Sequence, residues 1–320
     1  IAEVPGPTPD KLHPRIKETA KRLWGIYVML TLVQTILLMF GNMSLFEALC
    51  HAFGTMATGG FSTRNASIAA FSPYVQYVIM VFMVLAGVNF TLHYIALRGS
   101  FRKVSANEEF RFYMMVLGVS AALIMGSLLV NHKGGVEEIM RNSLFQVISI
   151  VTTTGYITAD YLLWPNMAWF VILLLMFTGG CAGSTGGGIK MVRHLLLFRN
   201  SFLELKRQIH PQAVIPLRLN QRAVNQDIVF NVLAFFLIYM TIFAAGSFIM
   251  TALGLDFHSA IGSVIASLGN IGPGLGSVGP VGNYADIPGA GKWFLAFLML
   301  LGRLELFTVL ILFSRAFWRH

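Results

Sequence analysis

A chain of 320 residues that is 56% hydrophobic and only 12% charged, with mean hydropathy +0.69, carries more apolar surface than one soluble core can hide. Its formal net charge of +9 does not signal nucleic acid, because the basic residues gather in short patches between apolar runs rather than in one stripe interleaved with aromatics. The two cysteines, Cys50 and Cys181, lie in apolar or glycine-rich stretches and supply neither a disulfide framework nor a Cys/His metal site, so composition points to a multi-pass membrane protein.

The chain opens on IAEVPGPTPDKLHPRIKETAKR, which is polar, proline-rich and basic. It reads as a cytoplasmic linker over 1–22 rather than a signal peptide, and the expectation is that this sequence begins within a larger protein. A bilayer core needs about 20 apolar residues of helix. Six stretches supply that or come near it: 23–40, 73–97, 110–130, 164–178, 228–253 and 293–317. The fourth is short unless it resumes after a glycine-rich break, through 191–202. Alternating with these spans are SLFEALCHAFGTM, VEEIMRNSLFQVISIV and DFHSAIGSVIASL, apolar but too short to cross, which predict re-entrant half-helices. Each opens on a polar or acidic group. Ser44 and Glu47 have capping-box spacing, Glu137 and Glu138 occupy a first turn, and Asp256 can cap the third. Each is followed by a turn rich in glycine or threonine: ATGGFSTR (57–64), TTTGYITAD (152–160) and LGNIGPGLG (268–276). The order helix, half-helix, loop, helix thus occurs three times.

Charge tests this topology independently. With the hairpin ends inside, the cytoplasmic face collects Lys11, Arg15, Lys17, Lys21, Arg22, Arg98, Arg102, Lys103, Arg111, Lys190, Arg193, Arg199, Lys206, Arg207, Arg218, Arg222, Arg315 and Arg319. The outer face keeps Arg64, Lys133, Arg141 and Lys292, and Arg303 falls within a span, so the bias follows the positive-inside rule and the loops face outward.

Irregular backbone at membrane depth is tolerated only where it is buried in protein or lines a wet cavity. Three equivalent loops argue for one shared cavity. Backbone carbonyls can replace the hydration shell of a monovalent cation, glycine permits the φ angles that turn them toward an axis, and the C-terminal ends of the half-helices add partial negative charge. The expected ligand is a cation.

ATGGFST, TTTGYIT, GNIGPGLG, TGGCAGSTGGGIK and LGRLELF together resemble the Trk/Ktr/HKT superfamily of potassium transporters, closest to its bacterial Trk branch, over essentially the whole chain. The resemblance implies an all-α membrane protein of helix, pore-helix, filter-loop, helix units around a pseudo-fourfold pore. Three repeats are visible and a first is expected upstream. The divisions are then 23–109 (second repeat), 110–222 (third, carrying a gating loop and a cytoplasmic loop) and 223–320 (fourth). It further implies that Gly60, Gly155 and Gly272 are filter glycines, with Thr58, Gly59, Phe61, Thr153, Thr154, Tyr156, Asn270 and Ile271 shaping the carbonyl rings. The function implied is potassium uptake across the cytoplasmic (inner) membrane. Potassium binds at the filter carbonyls as transported ligand, with no cofactor and no enzymatic activity. Implied partners are a second copy in a homodimer, a cytosolic nucleotide-binding regulatory subunit and membrane lipid.

The stretch Gly179, Gly180, Cys181, Ala182, Gly183, Ser184, Thr185, Gly186, Gly187, Gly188 raises its own question. Six glycines in ten residues would cost a continuous helix about 5–6 kcal/mol relative to alanine. A Walker phosphate cradle needs Lys followed by Ser/Thr directly after the last glycine, but Ile189 intervenes before Lys190 and Met191 stands where Ser/Thr belongs. In the family resembled, this stretch is an intramembrane loop beneath the filter that must move for ions to pass. Arg303, inside an apolar run at a cost of roughly 2.5–3.5 kcal/mol, is placed by the same resemblance near that loop, where it can donate to loop carbonyls and set a barrier to cations. The bland alternative is a structural arginine bonded to a carbonyl elsewhere, while Glu305, offset by two positions, does not share its helix face.

Other features read blandly. Gly59, Gly60 and Gly155 alone could be turn glycines, the acids are caps rather than ion ligands, Cys50 and His51 are packing, and Asn65-Ala66-Ser67 matches a glycosylation acceptor by chance. A sodium-coupled symporter with broken helices is the competing transport reading. An intramembrane enzyme would need a nucleophile, base and metal or phosphate motif that cannot be assembled here.

Overall fold

The computed structural model describes residues 16–131, 135–213, 215–315 and 317–318. Lys11, Arg15, Lys133, Arg319 and most of the 1–22 linker lie outside the described residues. Thirteen α-helices are described among them: α1 Ile16–Phe40, α2 Leu45–Met56, α3 Pro73–Ala86, α4 Phe90–Leu97, α5 Phe101–Ser105, α6 Glu108–Asn131, α7 Val136–Val151, α8 Asn166–Leu175, α9 Met191–Ile209, α10 Gln226–Ala252, α11 Phe257–Leu268, α12 Gly289–Arg303 and α13 Leu306–Leu310. Of these, α1, α6 and α10 are each long and apolar enough to cross a membrane, and their outward faces keep large apolar side chains such as Ile36, Val119 and Leu237 exposed.

The half-helices α2, α7 and α11 are the predicted ones, and each packs against the long helix preceding it. Their starts follow from cap chemistry: Ser44 Oγ accepts from Glu47 N at 3.2 Å and Asp256 Oδ2 accepts from Ser259 N at 3.1 Å. Two apolar clusters hold the hairpins together. Tyr113, Ile124, Phe145 and Ile150 join α6 and α7 to α3 and α8, and Tyr239, Val264, Leu268 and Leu298 join α10, α11 and α12.

Two spans expected to be continuous are broken. The 73–97 run bends by 102° between α3 and α4, and the 293–317 run by 116° between α12 and α13. At the first break Asn89 Oδ1 accepts from Thr91 N at 2.8 Å, capping a new helix inside an apolar run. At the second, Glu305 takes φ +64°, which ends α12 and leaves Arg303 as its last residue rather than an interior one. The segment between α9 and α10 also holds a short hairpin that sequence reading does not anticipate. Strands β1 Arg218–Leu219 and β2 Arg222–Ala223 pair antiparallel through Asn220 and Gln221, both at positive φ as a tight two-residue turn requires.

Candidate functional site

The three half-helices end alike. After each C-cap, residues Thr58, Thr153 and Asn270 take φ of +52°, +56° and +55°, and two residues later Gly60, Gly155 and Gly272 take +66°, +83° and +108°. For β-branched threonine this left-handed backbone costs on the order of 1–3 kcal/mol, so it persists only where the surroundings enforce it. The amides turn back onto the half-helix: Gly59 N donates to Gly54 O at 2.7 Å, Thr154 N to Ser149 O at 2.9 Å and Ile271 N to Ala266 O at 2.9 Å. With amides directed backward, the carbonyls on the other side of each turn are left without the helix as partner.

The loops also touch in series. A Cβ on Gly60 would stand 1.8 Å from Thr154 O, and one on Gly155 would stand 2.0 Å from Ile271 O. Glycine is therefore required by its neighbour as well as by its φ. A Cβ on Gly272 would meet nothing within 4 Å, so the arc of three loops is open on that side. Gly59 and Thr154 occupy the position between the two left-handed residues in their loops, as Ile271 does in the third. Phe61 and Tyr156 follow the glycines but differ in environment: Phe61 is 83% exposed and Tyr156 is fully buried.

The acids sit at the opposite ends of the half-helices, where a helix dipole favours negative charge. Arg64 pairs with Glu47 at 2.7 Å. A hydrogen bond from Arg141, then one from Tyr77, holds Glu137 below the usual carboxylate range, and Asp256 is lowered by the Ser259 side chain and then its amide. His51, in α2, bonds Glu47 O at 2.7 Å and Ser62 Oγ at 2.9 Å, which ties the half-helix to its loop as packing.

The glycine stretch lies where the broken helix needs partners. Cys181 N donates to Gly87 O at 2.8 Å, Thr185 Oγ1 to Ala86 O at 3.2 Å, and Phe90 N to Gly183 O at 3.1 Å. The groups freed by the α3/α4 break are thus consumed by the loop. Gly183 and Gly188 take φ of +73° and +65°, and a Cβ on Gly179 would lie 2.2 Å from Gly187 O, while one on Gly180 would lie 2.6 Å from Ser184 Oγ. The left-handed residues above reach down to it. Thr58 Oγ1 donates to Thr185 O at 2.9 Å, Gly187 N donates to Thr153 Oγ1 at 2.6 Å, and the Asn270 Cβ lies 3.1 Å from a Cβ built on Gly187. Arg303 Nη1 donates to that same Thr185 carbonyl at 3.1 Å, which places it against the loop.

Residues missed by sequence reading complete the loop's support. Glu109 in α6, 7% exposed, accepts through Oε1 from Ala182 N at 2.6 Å and Val192 N at 3.2 Å, bracing both ends of the stretch. Lys190 Nζ donates to Gly186 O. Arg193 pairs with Glu305 and lies 3.9 Å over the Phe235 ring, so Glu305 serves the α9/α12 junction rather than Arg303. A cavity of about 370 Å³ is lined by the loop with Lys190, Arg193, Arg303 and Glu305, three cations against one carboxylate. The one sequence signal for Glu109 was a pair of acids opening a membrane span, which reads equally well as a first-turn dipole effect.

A fold that is almost wholly α-helical, with three helices long and apolar enough to cross a membrane and three shorter ones whose terminal turns touch in series, defines a helical integral membrane protein. The TrkH family model, described as cation transport protein, matches residues 8–319, and the chain belongs to that family. It is 43% identical to the Trk system potassium uptake protein TrkH of Salmonella typhimurium and of Escherichia coli K12, covering 100% of this chain and 66% of each relative. The crystal structure of the potassium transporter TrkH from Vibrio parahaemolyticus superposes with TM-score 0.90 at 39% identity, over 96% of this chain and 66% of that one. The chain thus spans just under two thirds of the length of these relatives.

Proposed function

We propose that the chain takes part in potassium uptake across the cytoplasmic membrane, with carbonyls of Thr58 to Gly60, Thr153 to Gly155 and Asn270 to Gly272 replacing the water around a bare ion, while those of Phe61 and Tyr156 accept from Tyr156 Oη and Ser149 Oγ and so shape the turns. The observation that carries this reading is the repeated pair of left-handed residues flanking one position in each of three touching loops. No partner side chain is needed for such a site; main-chain oxygen set by backbone geometry suffices. The open side at Gly272 is where a fourth loop would close the ring. The division into pore repeats at 23–109, 110–222 and 223–320 follows the same reading.

Gly179 to Gly188, with Arg303, is proposed as the gate. Hydrogen bonds from Arg303 and Thr58 to Thr185 O, and a cation-rich cavity beside the loop, support a closed arrangement that opposes cation passage. The names of the relatives, which are potassium uptake proteins of a Trk system, support the same substrate and a multi-component assembly. A homodimer and a cytosolic nucleotide-binding regulatory subunit are the proposed partners. The sodium-coupled symporter has less support, because the backbone groups freed at the α3/α4 break are already bonded within the protein.

The test is cation flux in proteoliposomes. Gly60→Ala or Gly155→Ala is expected to erode discrimination of K+ from Na+, and Arg303→Ala or a shortened 179–188 loop to raise resting flux. Unchanged ion preference in both glycine variants counts against the filter; unchanged resting flux counts against the gate.

A further inference from the structure

The three loops are not held in place equally. Between the first and second, the outer backbone is bonded repeatedly: Ile68 N and Ala69 N donate to Ile157 O at 3.1 Å each, Ile157 N donates to Ser67 Oγ at 3.2 Å, and Tyr156 Oη reaches His51 O at 3.2 Å and Phe61 O at 3.4 Å. Between the second and third, among the described residues, one hydrogen bond crosses: Tyr161 Oη donates to Gly274 O at 2.6 Å. Within its own hairpin the third loop is held by Tyr284 Oη, which donates to the carbonyl of Gly272 at 2.8 Å, by Asn270 Nδ2, which donates to Met299 O at 3.2 Å, and by Ser259 Oγ, which accepts from Ser277 N at 2.8 Å. Tyr161 is fully buried among apolar side chains, so its hydroxyl has no water to substitute for the bond, and Tyr284 is half-buried above the loop. On its far side the third loop faces open space at Gly272.

We propose that Tyr161 and Tyr284 are specificity-determining positioning residues, whose two phenol hydroxyls fix the third loop at residues Gly272 to Gly274 so that it presents its carbonyls at the spacing potassium requires. This rests on the filter reading above. Where a ring of carbonyls selects by cavity size, it discriminates between alkali ions as far as its members resist collapsing onto the smaller one, and the member least joined to its neighbours sets that limit. Here that member is the third loop, which shares one hydrogen bond with its neighbour where the first and second share several, and each phenol restrains one of its carbonyls directly. Neither tyrosine touches the ion; both act through the main chain.

The experiment is K+ against Na+ flux competition for the full-length protein in proteoliposomes, with melting temperature and monodispersity recorded for each variant. Phenylalanine keeps the ring and removes only the hydroxyl. Tyr161→Phe and Tyr284→Phe are each expected to lower K+ preference about threefold to tenfold, the equilibrium factor of one buried hydrogen bond, with K+ flux retained. Tyr77→Phe, which loses a hydroxyl bonded to Glu137 at the outer face, is expected to keep full preference. The proposal is overturned if both tyrosine variants keep wild-type preference, or lose melting temperature and flux without a change in the ratio, while Gly155→Ala alters preference. If Gly155→Ala leaves preference intact as well, the filter reading itself has failed. Should Tyr161→Phe not yield monodisperse protein, the half-buried Tyr284 decides alone.

Discussion

A residue's worth at this site is set by what its backbone must do. Gly155 has φ +83° and a carbonyl 2.0 Å from where a Cβ would sit, whereas Gly272 has φ +108° but open space there. Alanine at 155 must therefore both strain the backbone and push Ile271 away, while alanine at 272 meets only the first cost. Gly155→Ala is expected to lower thermal stability and selectivity more than Gly272→Ala, as melting curves and flux ratios will read. Thr153 combines two duties, since its backbone shapes the turn and its hydroxyl accepts from Gly187 N at 2.6 Å. Valine keeps the shape and leaves a buried amide unpaired, at about 1–3 kcal/mol against the closed loop. Thr153→Val is expected to raise resting Rb+ flux and Thr153→Ser to leave it near wild type; equal flux in both would contradict a holding role for the hydroxyl.

Among the elements, the half-helices were legible because cap residues, short apolar runs and terminal glycines agree at every level. Asp256 shows what such a cap contributes. Its carboxyl, lowered by Ser259, stabilises α11 above about pH 4, and the contribution is lost as pH falls through the depressed folded value. The melting temperature is expected to drop toward low pH in the parent and to drop less in Asp256→Asn. The breaks in 73–97 and 293–317 were not legible, because hydropathy averaged over each run stays high despite Asn89 in the first and Arg303 and Glu305 in the second, and the partners that satisfy the freed groups are tertiary. Glu109 was hidden for a related reason: at the start of a span an acid reads as a dipole effect, and its bonds to Ala182 and Val192 join positions 73 and 83 residues away. Glu109→Ala should unpin both loop ends and raise resting flux, whereas Glu109→Gln retains an acceptor oxygen and should stay close to the parent. Identical behaviour of the two would show that the carboxylate does not brace the loop.

At the scale of the whole molecule, three hairpins of unlike sequence converge on one design. Long helices carry apolar faces outward, and the turns that end the half-helices meet one another. The glycine stretch packs beneath two of these turns and fills the break in the first hairpin, so the proposed gate and the proposed filter loops share hydrogen bonds. Sequence pattern conveyed the half-helices and the long apolar helices, but contact between hairpins depends on close approach of glycines that no periodicity encodes. The most direct test of the central claim is anomalous diffraction from crystals of the full-length protein grown in Rb+. The account predicts peaks on one line, bounded by carbonyl oxygens of residues 58–60, 153–155 and 270–272, with none below the glycine loop. Peaks confined to side-chain carboxylates, or a protein that carries Rb+ with no density between those loops, would contradict it.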